Sequence, residues 1–379
     1  MKKKLAVIIS NKEIRAVCPE PIITNIDIVS YTRQMDPQMA VDALMEGYSV
    51  LISDYYSSGL KVLSALKKHI KTSGILKVDK PSEVKLKDQS FQSQRDFRSV
   101  FHEFSQRLLL LVSHHQLIVK KAPEIGWFKI LYPELDTFLL PFPQVQGLNS
   151  SWQWYQKGLD IPVLGRKIHP WFGTYFPTRF EHLKLFNSWL KTYKGEKKSA
   201  IDIGIGSGVL TFQLIKHGFE QVVGTDSNPN AIIGLNEDLN KNNLSTKIEL
   251  IYGDLFSDIQ SKTELIVFNP PWLPAEYDVA GMDAAIYYDS QLFPRFFEEA
   301  EKHLEINGRV VLLFSNLAQI TGLNKLHPIE EELAKGGRFQ KEYFTQKKVS
   351  QASKKTQRNQ NWRNTEMVEL WVLKIKNKP

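Results

Sequence analysis

In the second half of the chain, short apolar runs alternate with stretches whose apolar residues recur every three or four positions. The runs at Ser199–Gly204, Gln221–Asp226, Ile248–Tyr252, Leu265–Phe268, Arg309–Phe314 and Met367–Ile375 predict strands. The stretches at Val209–Lys216, Asn228–Lys241, Leu292–Leu304 and Ile329–Lys335 predict helices. Strands alternating with helices at this spacing predict an α/β domain with a doubly wound, largely parallel sheet. Such sheets bind ligands at the carboxyl ends of the strands, near the switch in strand order.

The first half has a different texture. Asp36-Pro37 reads as an N-cap with proline at the first helical position, and Ala40, Val41, Leu44 and Met45 carry helical spacing up to Gly47. A second helix is predicted over Leu60–Ile70, and a polar surface loop over Lys77–Arg95. Phe97, Phe101, Phe104 and Leu108 form a stripe that predicts a core face. Pro141, Pro143, Gly147 and Asn149-Ser150-Ser151 predict a break. The expected division is therefore an N-terminal α+β domain over 1–150 and a sheet domain over 151–379. The full length of 379 residues agrees with two domains.

A hydrophobic fraction of 42 % and a charged fraction of 24 % exclude a disordered, coiled-coil or fibrous chain. The one cysteine, Cys18, excludes an internal disulfide and cysteine-cluster metal sites, and fits a reducing, cytoplasmic setting. The basic start Met1-Lys2-Lys3-Lys4 is followed by too short an apolar stretch for a signal peptide. The longest apolar run, Leu108–Val119, is interrupted by Ser113-His114-His115-Gln116 and is too short to span a bilayer. No membrane association is expected. The adjacent pair His114-His115 has no companion carboxylate, and His169, His182 and His217 read as surface or packing residues, so no metal site is expected either. Of the net charge of +8, most falls in one segment. Lys341, Lys347, Lys348, Lys354, Lys355, Arg358 and Arg363 are opposed there only by Glu342. Such a segment is either a solvated loop or a contact for a polyanion.

Four motifs follow the predicted strands in order. Asp202-Ile203-Gly204-Ile205-Gly206-Ser207-Gly208 sits at a strand-to-helix turn, where glycines let the backbone approach a ligand. The spacing is not the G-x-G-x-x-G of a dinucleotide fingerprint. Asp226 ends the next strand, where an acid can accept ribose hydroxyls or cap a helix, and Ser227 or Asn228 can serve as that cap instead. Gly253-Asp254-Leu255-Phe256 places a carboxylate and an apolar neighbour where an adenine amine and ring would lie, or forms a plain turn. Asn269-Pro270-Pro271-Trp272 follows the fourth strand. Its prolines stiffen the chain. The Asn269 side-chain oxygen and the Pro270 carbonyl can accept two N–H bonds from one planar nitrogen, and Trp272 offers a face for stacking.

With these four motifs in order, residues from about Ile168 to Lys374 resemble class I S-adenosylmethionine-dependent methyltransferases. They are most similar to the N-P-P-Y group, which includes HemK-like protein-glutamine methyltransferases and nucleobase N-methyltransferases. The resemblance implies a seven-stranded Rossmann-like sheet with its last strand antiparallel, and S-adenosyl-L-methionine as cofactor. It implies that Asp202, Gly204, Gly206, Gly208, Asp226, Asp254 and Leu255 hold the cofactor. It also implies that Asn269, Pro270, Pro271 and Trp272 hold the acceptor nitrogen. Thr174-Tyr175-Phe176-Pro177-Thr178-Arg179 is similar to the entry segment that closes over the cofactor, with Pro177 at the site. Gly281-Met282-Asp283-Ala284-Ala285 is similar to the segment after the tetrapeptide. Two features depart from the group: Trp272 stands where tyrosine or phenylalanine is commoner, and the first 150 residues match none of these families.

The expected activity is methyl transfer to a planar nitrogen, either a protein glutamine amide or a nucleobase amine. The basic segment Lys341–Arg363, with Trp362 and several glutamines interleaved, favours RNA. The N-terminal domain is expected to recognise the substrate. Alternatives are a methyltransferase for a small molecule, or a catalytically silent nucleic-acid-binding protein on the same sheet. A nicotinamide dehydrogenase is disfavoured by the glycine spacing and the lack of a His–acid or Tyr–Lys pair.

Overall fold

The computed structural model describes residues 4–23, 26–73, 86–275, 285–324, 326–335, 337–350 and 365–376, with backbone alone over 86–95. The chain divides into two compact units, Met1–Leu5 with Cys18–Gln153, and Ala6–Val17 with Trp154–Pro379.

The second unit carries a seven-stranded sheet of β1 (Ser199–Ile203), β2 (Gln221–Asp226), β3 (Ile248–Tyr252), β4 (Thr263–Phe268), β5 (Leu304–Ser315), β6 (Phe339–Lys348) and β7 (Met367–Ile375). The spatial order is β3-β2-β1-β4-β5-β7-β6. The first five strands pair in parallel, and β7 runs antiparallel to both β5 and β6. The chain steps outward from β1 to β3, then returns to the other side of β1 as β4. That reversal opens a crevice at the carboxyl ends of β1 and β4.

Parallel strands covered on both faces read as continuous apolar runs, as Leu265–Phe268 of the wholly buried β4 do. The covering helices are α1 (Glu181–Leu190), α2 (Val209–Lys216), α3 (Pro229–Lys241), α4 (Leu292–His303) and α5 (Pro328–Lys335). In α4, Phe293, Phe296, Phe297 and Ala300 share one face and join Ile201, Ile266, Phe268, Phe314 and Trp371 in a single core cluster.

A hairpin of Ala6–Ile9 and Lys12–Arg15 also belongs to this unit, whereas the sequence reading groups it with the rest of 1–150. Ser10 and Asn11 turn it through left-handed backbone, and the Ser10 hydroxyl donates to the Leu250 carbonyl on edge strand β3. The buried Asn230 amide, at the start of α3, accepts from the Val17 N–H at 2.8 Å and donates to its carbonyl at 2.7 Å. The expected break near 150 is instead a helix, Phe142–Lys157, within which the division falls. Pro143 sits in its first turn, where the missing N–H costs nothing.

The first unit holds a five-stranded sheet. Ile28–Tyr31, Ser49–Ile52 and Leu108–Ser113 are parallel and linked through helices, and Gln116–Leu117 and Thr137–Pro141 each pair antiparallel with Leu108–Ser113. The parallel part makes the unit mixed rather than the segregated α+β expected. Helix Pro37–Glu46 forms as expected, with the Asp36 side chain accepting the Gln38 N–H and Gly47 closing it at φ +99°. The second helix runs longer than expected, over Tyr56–Thr72. Leu86–Ser105 is helical, which corrects the loop expected there, while 77–85 lie outside the described residues. Phe97 and Phe101 stack on each other half-buried, under Lys71 and Lys67, so this part of the expected core stripe faces partly outward. His114 and His115 occupy a left-handed hairpin turn. Among the described residues, no helix is long and apolar enough to cross a membrane.

Candidate active site

At the switch in strand order lies a cleft of about 640 Å³. It is lined by Asp202, Gly204, Gly206, Asp226, Asp254, Leu255, Asn269, Pro270, Pro271, Trp272 and Pro177, all singled out from the sequence. Gly208 is the exception. A side chain there would meet Leu235 at 2.6 Å and Phe212 at 3.0 Å, so this glycine lets α2 pack against α3 rather than lining the cleft.

One half of the cleft is made of backbone and carboxylates. From β1 the chain turns through Gly204 (φ +64°), Gly206 (φ +50°) and Gly208 (φ +75°) into α2. Three left-handed residues in five are accessible at low cost only to glycine. Asp226 holds the loop, accepting N–H bonds from Gly206 and Asn228 at 2.8 Å each. Asn228, not Asp226, caps α3 through the Asn230 N–H. Asp202 accepts the Thr211 hydroxyl at 2.6 Å on one oxygen, and its other oxygen has no hydrogen-bond partner among the described residues. Burial pushes the Asp202 carboxyl up to about 7 and that of Asp226 to about 6, the latter held back by its two backbone N–H bonds. The Leu255 carbonyl accepts the Thr225 hydroxyl, which fixes Leu255 against the cleft. Asp254 lines the rim but is paired with Arg295, and both side chains are about half exposed. The carboxylate that the sequence offers to an adenine amine is thus engaged by a guanidinium in this structure.

The other half is made of prolines and rings. Asn269-Pro270-Pro271-Trp272 leaves β4 and lines the cleft with Ile286, Tyr287 and Leu292. The Trp272 indole Nε1–H donates to Asn269 Oδ1 at 3.2 Å. Across from Trp272 stands His182 of α1, its ring perpendicular at a centroid distance of 5.6 Å. His182 is 3 % exposed, and burial pushes its imidazole down to about 4. The ring packs, one of the two roles expected from the sequence, and it also lines the cleft. The available signal was its place five residues beyond Pro177 in the entry segment.

That segment is fastened from three sides. Asn228 donates to the Gly173 carbonyl, Asn230 to the Phe172 carbonyl, and Arg179 pairs with the buried Glu366 at 2.8 Å. Tyr175 and Pro177 thereby form a wall of the cleft. Of the segment 281–285, only Ala285 is described, and it lines the cleft; 281–284 lie outside the described residues. So does the part of the basic segment over 351–364, whereas Lys341, Lys347 and Lys348 are exposed on β6.

Residues 184–340 match the family model described as the methyltransferase small domain. A protein of Methanocaldococcus jannaschii named for protein N5-glutamine methylation is 29 % identical over 179 residues, which is 45 % of this chain and 86 % of that protein. A ribosomal RNA small subunit methyltransferase C of Alcanivorax borkumensis is 40 % identical over 78 residues, 21 % of this chain and 23 % of its own. A ribosomal protein L11 methyltransferase of Thermosipho africanus is 35 % identical over 86 residues, 23 % of this chain and 32 % of its own. The chain thus spans most of the first relative and a third or less of the other two. With the family match covering the glycine loop and the Asn269–Trp272 corner, the chain is an S-adenosylmethionine-dependent methyltransferase.

Proposed function

We propose that the chain is an N-methyltransferase of the N-P-P-Y type, acting on a planar nitrogen. One observation carries this reading: Asn269-Pro270-Pro271-Trp272 and the Gly204/Gly206 loop with Asp226 face the same cleft. The cofactor supplies a methyl group on a good leaving group, and every other task falls to the protein. The cradle fits such a ligand. A side chain at Gly204 or Gly206 would come no closer than 3.4 Å to the surrounding protein, so these glycines are needed for their φ and for open space on the ligand side. The unpartnered Asp202 oxygen fits a donor on the ligand. Asp226 would take ribose hydroxyls and Leu255 the flat face of a base.

Asn269 Oδ1 and the Pro270 carbonyl accept N–H bonds from the acceptor. Those bonds draw a delocalised nitrogen toward tetrahedral geometry and stabilise the positive charge that develops on it. Holding the acceptor in line contributes up to roughly 7–11 kcal/mol in ideal cases. No side-chain base is required, since the proton can leave after transfer. Titration calorimetry with S-adenosylhomocysteine and a tritiated-methyl transfer assay test this reading. Absence of both binding and transfer would reject it.

Two acceptors of this chemistry have separate support. The relative matched over most of its length is named for glutamine methylation, which supports a protein amide. Exposed Lys341, Lys347 and Lys348 on edge strand β6 support an RNA acceptor. Steep loss of acceptor binding with salt would select RNA. The first unit is assigned to substrate recognition, and replacing its exposed residues should change acceptor choice without changing cofactor affinity.

A further inference from the structure

We propose that Trp272 is a positioning residue for Asn269: its indole N–H fixes which atom of the Asn269 amide is offered to the acceptor, a task separate from stacking. The inference rests on the functional reading above and deepens it. An indole nitrogen donates and never accepts. At 3.2 Å from Trp272 Nε1, the amide atom must be the oxygen, because the flipped amide would set N–H against N–H. One lone pair of Asn269 Oδ1 is thereby committed to the indole. The second is left for an N–H of the acceptor.

The surrounding chain makes this contact a fixed one. Pro270 and Pro271 lie between the two partners and lock the backbone that brings them together. The indole is backed by the buried His182 ring, perpendicular at 5.6 Å. Burial keeps that imidazole uncharged at neutral pH. A phenyl or phenol ring at position 272 would offer a flat face but no donor at this point. Tryptophan, the departure from the commoner residue, therefore does something that tyrosine and phenylalanine cannot.

Trp272→Phe separates the two tasks. The probe is tritium-labelled S-adenosylmethionine, with the RNA and protein fractions of a cell extract as acceptors. Wild type that neither binds S-adenosylhomocysteine nor transfers label would sink the functional reading itself. With wild type active, Trp272→Phe should lower kcat roughly three- to tenfold, the effect of one lost neutral hydrogen bond. Apparent KM and S-adenosylhomocysteine affinity should change less than twofold. A raised KM with unchanged kcat would show that Trp272 only stacks, and would overturn the proposal. A second measurement avoids variants at 272. The Trp272 indole N–H, assigned by through-bond correlation in nitrogen-15-labelled protein, should exchange with solvent roughly tenfold faster in Asn269→Ala than in wild type. Equal exchange rates would also overturn it.

Discussion

The two halves of the cleft are built from different materials and respond to different stresses. The half around Gly204, Gly206, Asp202 and Asp226 is backbone and carboxylate, and its shape depends on hydrogen bonds to Asp226. The half around Asn269, Trp272 and His182 is proline and ring, and its shape depends on chain stiffness and packing. The first half titrates near neutrality and the second does not. Binding a fixed ligand calls for many weak polar contacts. Steering one nitrogen calls for a few stiff ones.

The largest expected effect separates the halves directly. Asn269→Ala should reduce turnover roughly a hundredfold, as loss of a preorganised acceptor of this kind does. Its affinity for S-adenosylhomocysteine should stay near wild type. A calorimetric trace showing lost binding would mean that the halves are not independent. Asp226→Ala should do the reverse, weakening S-adenosylhomocysteine roughly ten- to a hundredfold through the lost charged contacts and the slackened Gly206 loop. Unchanged affinity would remove Asp226 from the site.

How much of this was visible in the sequence follows the range of the forces involved. The glycine turn, the Asn228 cap and the proline corner are set by neighbours within four residues, and they stand where the sequence puts them. Strand β6 was not visible. Its sequence Phe-Gln-Lys-Glu-Tyr-Phe-Thr-Gln-Lys-Lys reads as a charged stretch because it is an edge strand whose residues are mostly exposed. The helix over Phe142–Lys157 crosses Gly147 and three polar residues that locally favour a break, yet Phe142, Val145 and Leu148 are buried and hold it in place. The place of His182 beside the cleft is not visible locally, because its packing against Trp272 joins residues 90 apart in the chain. The pairing of Asp254 with Arg295 spans 41 residues and was equally out of reach.

Acidity should split the halves by sign. The Asp202 and Asp226 carboxyls are raised by burial above the value of about 3.9 for an exposed aspartate, so between about pH 4 and 7 the folded state binds more protons than the unfolded state. Their contribution to stability is therefore present below pH 4 and lost as pH rises through 6 to 7. Binding of a ligand that needs the carboxylates runs the other way. S-adenosylhomocysteine should stabilise the protein strongly at pH 8 and weakly at pH 5. Thermal shifts of equal size at both values would detach these carboxyls from the ligand.

The smallest effect concerns His182, whose imidazole is depressed to about 4. An unfolded histidine, with its usual value near 6.5, is charged at pH 5 while His182 in the fold stays neutral. Below about pH 6.5 this residue therefore favours unfolding, and its cost is fully developed near pH 4. His182→Phe removes that linkage, keeps a ring against Trp272 and deletes a buried nitrogen that has no partner. Its melting temperature should exceed that of wild type by a few degrees at pH 5 and differ by about a degree at pH 8, given the usual 2–4 °C per kcal/mol for a folding unit of about 150–250 residues. A variant less stable at both values would show instead that the unpartnered nitrogen is satisfied in solution, and that the ring half of the cleft is less dry than its packing indicates.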